Sequence, residues 1–316
     1  MARRSRRRSR ERPGPSGFLV VDKPAAVTSH DVVDAARRWL GTRRVGHLGT
    51  LDPNATGVLP LAVRDATKLI AFVPPGPKVY AGTIRLGIAT DTFDAEGAEV
   101  SRHEGPLPEE AAVRRALAGF VGDIEQLPPM YSSVKHGGEP LHRLARRGEH
   151  VEREPRKVRV HSLELLAYRP PEVDFRISCV PGTYVRTLAE DLGAGLGCGA
   201  HLGGLRRYQS GPFTLEQAAP LESLERAAGE GGCEAQLIAP VEALGLPTVS
   251  LRADQVRRVG HGAEVEAPPA ASSPPLGSRV AALDPSGTLV AILELRPDRR
   301  LYPLRVLGSL APQGPL

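Results

Sequence analysis

The chain has 316 residues, 41% of them hydrophobic and 24% charged, with a formal net charge of +5. That length points to roughly two domains at about 150 residues each, and no apolar run approaches the ~20 residues of a membrane-crossing helix. Three widely spaced cysteines, Cys179, Cys198 and Cys233, argue against both a disulfide framework and a zinc cluster.

The charge is unevenly distributed. Residues 1–16 hold seven arginines and one glutamate, or +6, which leaves −1 for the remainder. Any RNA affinity of the folded body must therefore come from how charge is arranged. The tail mixes Ser, Pro and Gly with its arginines and has no apolar periodicity, so it is expected to be a disordered arm. No apolar core follows it, which argues against a secretory signal and for a cytoplasmic protein.

Gly17 to Asp22 reads as a buried strand broken by Lys23-Pro24. A helix follows, capped by Thr28 or Ser29, with Val32, Val33, Ala36, Trp39 and Leu40 on one face and Gly41 at its end. Val45 to Pro60 is rich in glycine and nearly aperiodic, and reads as a loop running into a strand at Val58 to Val63. Asp65 is placed to cap a short helix through Phe72. Lys78 to Gly87 reads as a strand, and Pro108 opens a helix to Phe120. Two further strands, His161 to Tyr168 and Val173 to Cys179, precede a turn at Pro181-Gly182 and a helix from Thr183 to Leu196.

Beyond Gly245 the texture changes to short strands, Thr248 to Leu251, Arg279 to Leu283, Leu289 to Leu295 and Leu301 to Leu307, with a low-complexity loop at Ala267 to Pro275. The expected organisation is a tail (1–16), a main domain (17–245) and a small β-rich domain (246–316). Strands mixed with helices, without a regular βαβ repeat or a Gly-rich nucleotide fingerprint, indicate an α+β fold.

The most specific segment is Gly46-His47-Leu48-Gly49-Thr50-Leu51-Asp52-Pro53-Asn54-Ala55-Thr56-Gly57-Val58-Leu59-Pro60. Pro53 restrains the backbone of Asp52, so the carboxylate is presented by a fixed loop. An Asp before Pro is, by itself, most often a simple turn former. This segment, however, resembles the signature of the TruB family of bacterial tRNA pseudouridine-55 synthases. The resemblance continues in Gly17 to Pro24, Val27 to Val33, Lys78-Val79-Tyr80, Asp91-Thr92-Phe93-Asp94, Pro128 to Lys135, Gly182 to Leu188, Gly199-Ala200-His201 and Leu205-Arg206-Arg207. One departure is Asn54, where the family more often has an apolar residue.

The resemblance implies a mixed, largely antiparallel central sheet with flanking helices, the pseudouridine synthase fold. It assigns Asp52 as the catalytic aspartate, Arg186 as the arginine paired with it and Tyr80 as the aromatic that stacks on the target base. His47 corresponds to the histidine that helps extrude the uridine and Leu205 to a pocket-lining residue, with Tyr184 beside them at the base. Lys23, Lys68, Lys135, Arg206 and Arg207 are expected to contact phosphates. The segment from Leu246 to Leu307 resembles a PUA-type RNA-binding domain, and a structural β-barrel without RNA contact is the alternative.

Moving uracil from N1 to C5 attachment on C1′ needs no redox carrier, metal or energy donor, so no cofactor and no metal are expected. An ionised carboxylate suffices, attacking C1′ or C6 or promoting elimination to a glycal. The expected partner is the T-arm of tRNA, with a monomeric enzyme and no membrane. A retaining glycosidase requires a second carboxylic acid about 5 Å away, and the motif region offers Asp52 alone. The other alternative is an RNA-binding or tRNA-folding protein on the same scaffold with catalysis secondary.

Overall fold

The computed structural model describes residues 13–149, 151–268 and 274–308. The Arg-rich run through residue 12 and residues 269–273 of the low-complexity stretch lie outside the described residues.

A ten-stranded sheet organises the chain. Its order is Ala219–Pro220, Gly17–Lys23, Thr56–Val63, Ala200–Ser210, Lys78–Leu86, Glu172–Cys179, Arg156–Arg169 and Gly122–Gln126, with Val45–His47 and Phe213–Thr214 attached to Thr56–Val63 and Ala200–Ser210 respectively. Pairing is antiparallel except where Gly17–Lys23 meets Ala219–Pro220 and where Thr56–Val63 meets Ala200–Ser210. The expected α+β, largely antiparallel architecture is the one observed.

The helix Ser29–Trp39 begins as its sequence indicates. Thr28 and Asp31 close a reciprocal capping box, Val32, Val33 and Ala36 face the core, and Gly41 follows the C-cap Leu40 at φ 58°. The helix Val185–Gly195 packs on the same layer through Val185, Leu188, Ala189 and Leu192. Each buried Val or Leu side chain in this layer contributes about 1.5–3 kcal/mol.

Several elements depart from the sequence reading. The segment Val45 to Pro60 is not all loop before Val58, because Val45–His47 pairs with Leu61 to Val63 and the next strand starts at Thr56. Asp65 caps nothing: the 3₁₀ helix Arg64–Phe72 follows Val63 without a side-chain cap. Its carboxylate is taken instead by Arg44 at 2.7 Å, Lys68 at 3.1 Å and the Gly308 N–H at 2.8 Å. The helix after Pro108 spans only Glu110–Ala118, and the helix after Gly182 starts at Val185, with Tyr184 as its N-cap.

The central strand Ala200–Ser210 has no counterpart among the expected strands. Its sequence is polar and Gly-rich, and register shifts at Leu202/Gly204 and Arg207/Gln209 break the two-residue alternation. Pairing on both edges holds it in mid-sheet regardless, although Gly203 and Gly204 are exposed. Gly57 meets Arg207 across the parallel pair at φ 97°, where an added Cβ would lie 2.2 Å from the Arg207 carbonyl oxygen, so only glycine fits.

A five-stranded sheet, Thr248–Ser250, Arg279–Leu283, Leu289–Leu295, Arg300–Val306 and Val265–Glu266, follows toward the C-terminus. It includes an unexpected helix, Ala253–Gly260. Ala281, Leu289, Ile292 and Leu307 join Phe18, Val20, Ala62, Leu69 and Phe213 of the larger unit in one buried cluster.

Candidate active site

The loop between His47 and Thr56 is fastened from below. Ser29 Oγ donates to the Leu51 carbonyl and accepts from the Leu51 N–H, both at 2.9 Å. Lys23 Nζ donates to the carbonyls of Pro53 at 2.7 Å, Val27 at 2.6 Å and Pro24 at 2.9 Å. Arg207 donates to the carbonyls of Val58 at 2.7 Å, Gly49 at 3.2 Å and Thr50 at 3.3 Å. With Leu51 buried and the Ala55 N–H bonded to the Asp52 carbonyl at 3.1 Å, the backbone around Asp52 is fixed. The Asp52 side chain itself remains 45% exposed.

Arg186 meets that carboxylate with two nitrogens. Nε lies 2.9 Å from Oδ2, and Nη2 donates to Oδ1 at 3.3 Å. The rest of the guanidinium is equally engaged, by the Tyr131 carbonyl at 2.9 Å, the Thr92 carbonyl at 3.2 Å and Asp94 Oδ2 at 3.5 Å. The Arg186 side chain is 7% exposed, and its charge is matched by two carboxylates and two carbonyl dipoles. Phe93 adopts φ 65°, a left-handed conformation that costs about 1–2 kcal/mol for a non-glycine residue. That turn lies between Thr92 and Asp94, both of which engage the one guanidinium.

Asp52, Arg186, Tyr80, Leu205, His47 and Tyr184 all line one cavity of about 690 Å³. Tyr80 is buried on the strand Lys78–Leu86, and burial pushes its phenol pKa up against the pull of nearby Arg207. Leu205 sits opposite Gly82 in the neighbouring strand, where an added Cβ would come 3.1 Å from its Cδ1. His47 Nδ1 accepts from the Gly49 N–H at 3.4 Å, and burial followed by the charge of Arg207 pushes its pKa down. Tyr184 is held at the helix start by Gln126, whose side chain pairs with its backbone N–H and carbonyl at 3.0 and 3.2 Å. Asn54 spans to Glu96 by a side-chain hydrogen bond.

The five expected phosphate contacts fare differently. Lys23 and Arg207 are both 0% exposed and spend their donors on backbone carbonyls, so neither meets a phosphate. Burial lowers the Lys23 ammonium to about 8, opposed by the pull of Asp52. Arg206 is tied to Asp22 at 2.7 Å and Lys68 to Asp65 at 3.1 Å. Lys135 is exposed outside the cavity.

Sequence reasoning assigned no role to Asp94 or to the carbonyls of Thr92 and Tyr131, although the motifs containing them were visible. Lys78 also lines the cavity, and its position two residues before Tyr80, on the same face of a strand, is the sequence signal that marks it. Among the described residues no group of three or more His, Cys, Asp or Glu side chains is placed to hold a metal ion, and no helix is long and apolar enough to cross a membrane.

Residues 37–185 match the family model for the TruB family pseudouridylate synthase N-terminal domain, and residues 186–244 that for the tRNA pseudouridylate synthase B C-terminal domain. A protein named tRNA pseudouridine synthase B from Pseudomonas paraeruginosa is 44% identical over 298 residues, covering 93% of this chain and 96% of its own length. One of the same name from Geobacter sulfurreducens is 48% identical over 246 residues, 77% of this chain and 81% of its own. Among solved structures, a Cbf5-Nop10-Gar1 complex superposes with a TM-score of 0.64 at 29% identity, covering 89% of this chain and 78% of that one. An H/ACA RNP bound to a substrate RNA containing 2′-deoxyuridine gives 0.65 at 25% identity, covering 92% and 84%. The chain thus belongs to the TruB family of pseudouridylate synthases.

Proposed function

We propose that this protein converts uridine to pseudouridine at position 55 in the T-loop of tRNA, acting as a cytoplasmic monomer with Asp52 as its catalytic carboxylate. The observation that carries this reading is the pairing of Asp52 with buried Arg186 at the wall of a cavity of about 690 Å³, within the ~300–1,000 Å³ range of small-ligand sites.

The isomerisation breaks the C1′–N1 bond, turns the uracil and forms a C1′–C5 bond. The proton on C5 leaves and N1 gains one, so atoms and electrons balance without an external reagent. A charged carboxylate initiates each of the three routes, attack at C1′, attack at C6 or elimination to the glycal. The two-nitrogen contact with Arg186 and the fixed loop hold the Asp52 carboxylate in place before substrate arrives.

The target nucleotide must first leave the loop stack at a cost of a few kcal/mol. Stacking against Tyr80 and contact with Leu205 and Tyr184 offset that cost, while His47, neutral at physiological pH, fills space left in the loop. The test is an unmodified tRNA transcript incubated with purified protein, followed by position-specific detection of pseudouridine. Product at the T-loop uridine, absent when that uridine is replaced by cytidine, is the expected result. Product only at other positions would exclude the T-loop assignment.

A further inference from the structure

Two cations that line the cavity, Lys78 and Arg146, make no side-chain hydrogen bond and no ion pair among the described residues; Arg146 is exposed, whereas Lys78 is partly buried beside Tyr80 on its strand. The Lys78 Nζ lies 3.1 Å from where a Cβ on Gly49 would stand, so it reaches the loop that carries Asp52. The carboxylates lining that cavity are already engaged: Asp52 and Asp94 by Arg186, and Glu96 by Asn54.

The surroundings of Lys78 add positive charge. Arg207, from the neighbouring strand, has no carboxylate within ion-pair distance among the described residues, because its donors are spent on neutral carbonyls. The titratable and charged groups around Lys78 are Arg207, His47 from the short strand and Cys179 from the strand on its other side. Burial together with Arg207 lowers the ammonium to about 8. Buried Arg207 contributes unpaired positive charge from behind, and Lys78, which alone of the two lines the cavity, is the group that can touch an anion there.

We infer that Lys78 binds a backbone phosphate of the RNA strand next to the nucleotide held against Tyr80. Residues two apart on a strand project from one face about 6.6 Å apart, comparable to the reach from a base to its own phosphate. A lysine there engages the phosphate as a point charge, setting how deep the nucleotide enters. The assignment rests on the proposed function, since it requires an RNA substrate in this cavity.

The test uses the full chain and T-arm stem-loop RNAs carrying single neutral methylphosphonates around the target uridine. In the natural protein one position should raise KM by roughly tenfold, the worth of one charge-assisted hydrogen bond. Lys78→Met should raise KM by the same factor on unsubstituted RNA and become indifferent to that methylphosphonate. Its slope of log affinity against log salt should shrink by about 0.7, and Lys78→Arg should restore both. If Lys78→Met does not fold, the natural protein and Lys78→Arg compared from pH 7 to 9.5 decide the matter: KM should rise more steeply with lysine, because Lys23, also held near 8, acts alike in both proteins. Equal KM and salt slope for Lys78→Met and the natural protein, additive effects at every methylphosphonate, or parallel pH profiles would overturn the inference. Turnover of unsubstituted RNA by the natural protein separates this from the proposed function, which fails only if that turnover is missing.

Discussion

Arg186 Nε lies 2.9 Å from Asp52 Oδ2, although the two residues are 134 positions apart in the chain. Arg186 also bridges to Asp94 and to the carbonyls of Thr92 and Tyr131, so it ties the Asp52 loop, the Phe93 turn and the Tyr131 segment to one helix. Arg186→Lys offers one point of charge where a planar fork is used. It should lower kcat by on the order of 10²-fold with a smaller change in KM. Steady-state kinetics on a tRNA transcript check this, and near-normal kcat for the lysine variant would show that the second Asp52 contact is dispensable.

Lys23 supports the same loop from inside the protein. Lys23→Met keeps the length of the side chain but leaves the carbonyls of Pro24, Val27 and Pro53 without their donor. The expected cost is about 2–4 kcal/mol in urea unfolding, with kcat reduced through displacement of Asp52. Unchanged stability would mean that water replaces the ammonium.

The buried role of Lys23 shows where the sequence could and could not be read. A cap at Thr28 or Ser29, the alternating strand from Val173 and the Asp52 loop each follow from local rules, and the structure has the strand and loop at those places and the cap at Thr28. Buried cations do not announce themselves. Lys23 and Arg207 look like solvated bases until the fold surrounds them with carbonyls. The strand Ala200–Ser210 escaped for a related reason, since its position in mid-sheet comes from the strands on either side and not from its own pattern. The contact of Arg186 with Asp52 rested on family resemblance; no local feature of either segment encodes a partner that far away in the chain.

The Cys179 thiol, fully buried, is pushed from an ordinary 9.0 up to about 11 by burial. Its pKa is higher folded than unfolded, so the stability it contributes is complete below pH 9 and is lost as pH rises toward 11. At 1.36 kcal/mol per unit the loss comes to about 2–3 kcal/mol. Urea unfolding at pH 8 and pH 11 should show a smaller alkaline loss for Cys179→Ala than for the natural protein. Lys23 shifts the opposite way in both proteins and cancels in the comparison; Lys78, which interacts with Cys179, is removed by making the comparison on a Lys78→Met background. Equal losses would place the thiol in contact with water.

The proposed chemistry rests on the charge of the Asp52 carboxylate. Asp52→Asn preserves shape and the loop bonds made by Ser29, Lys23 and Arg207 while removing the charge. Pseudouridine formed on an unmodified tRNA transcript should fall below detection for this variant while binding of the same transcript persists. A variant that binds the transcript and still makes product at the natural rate would contradict the account.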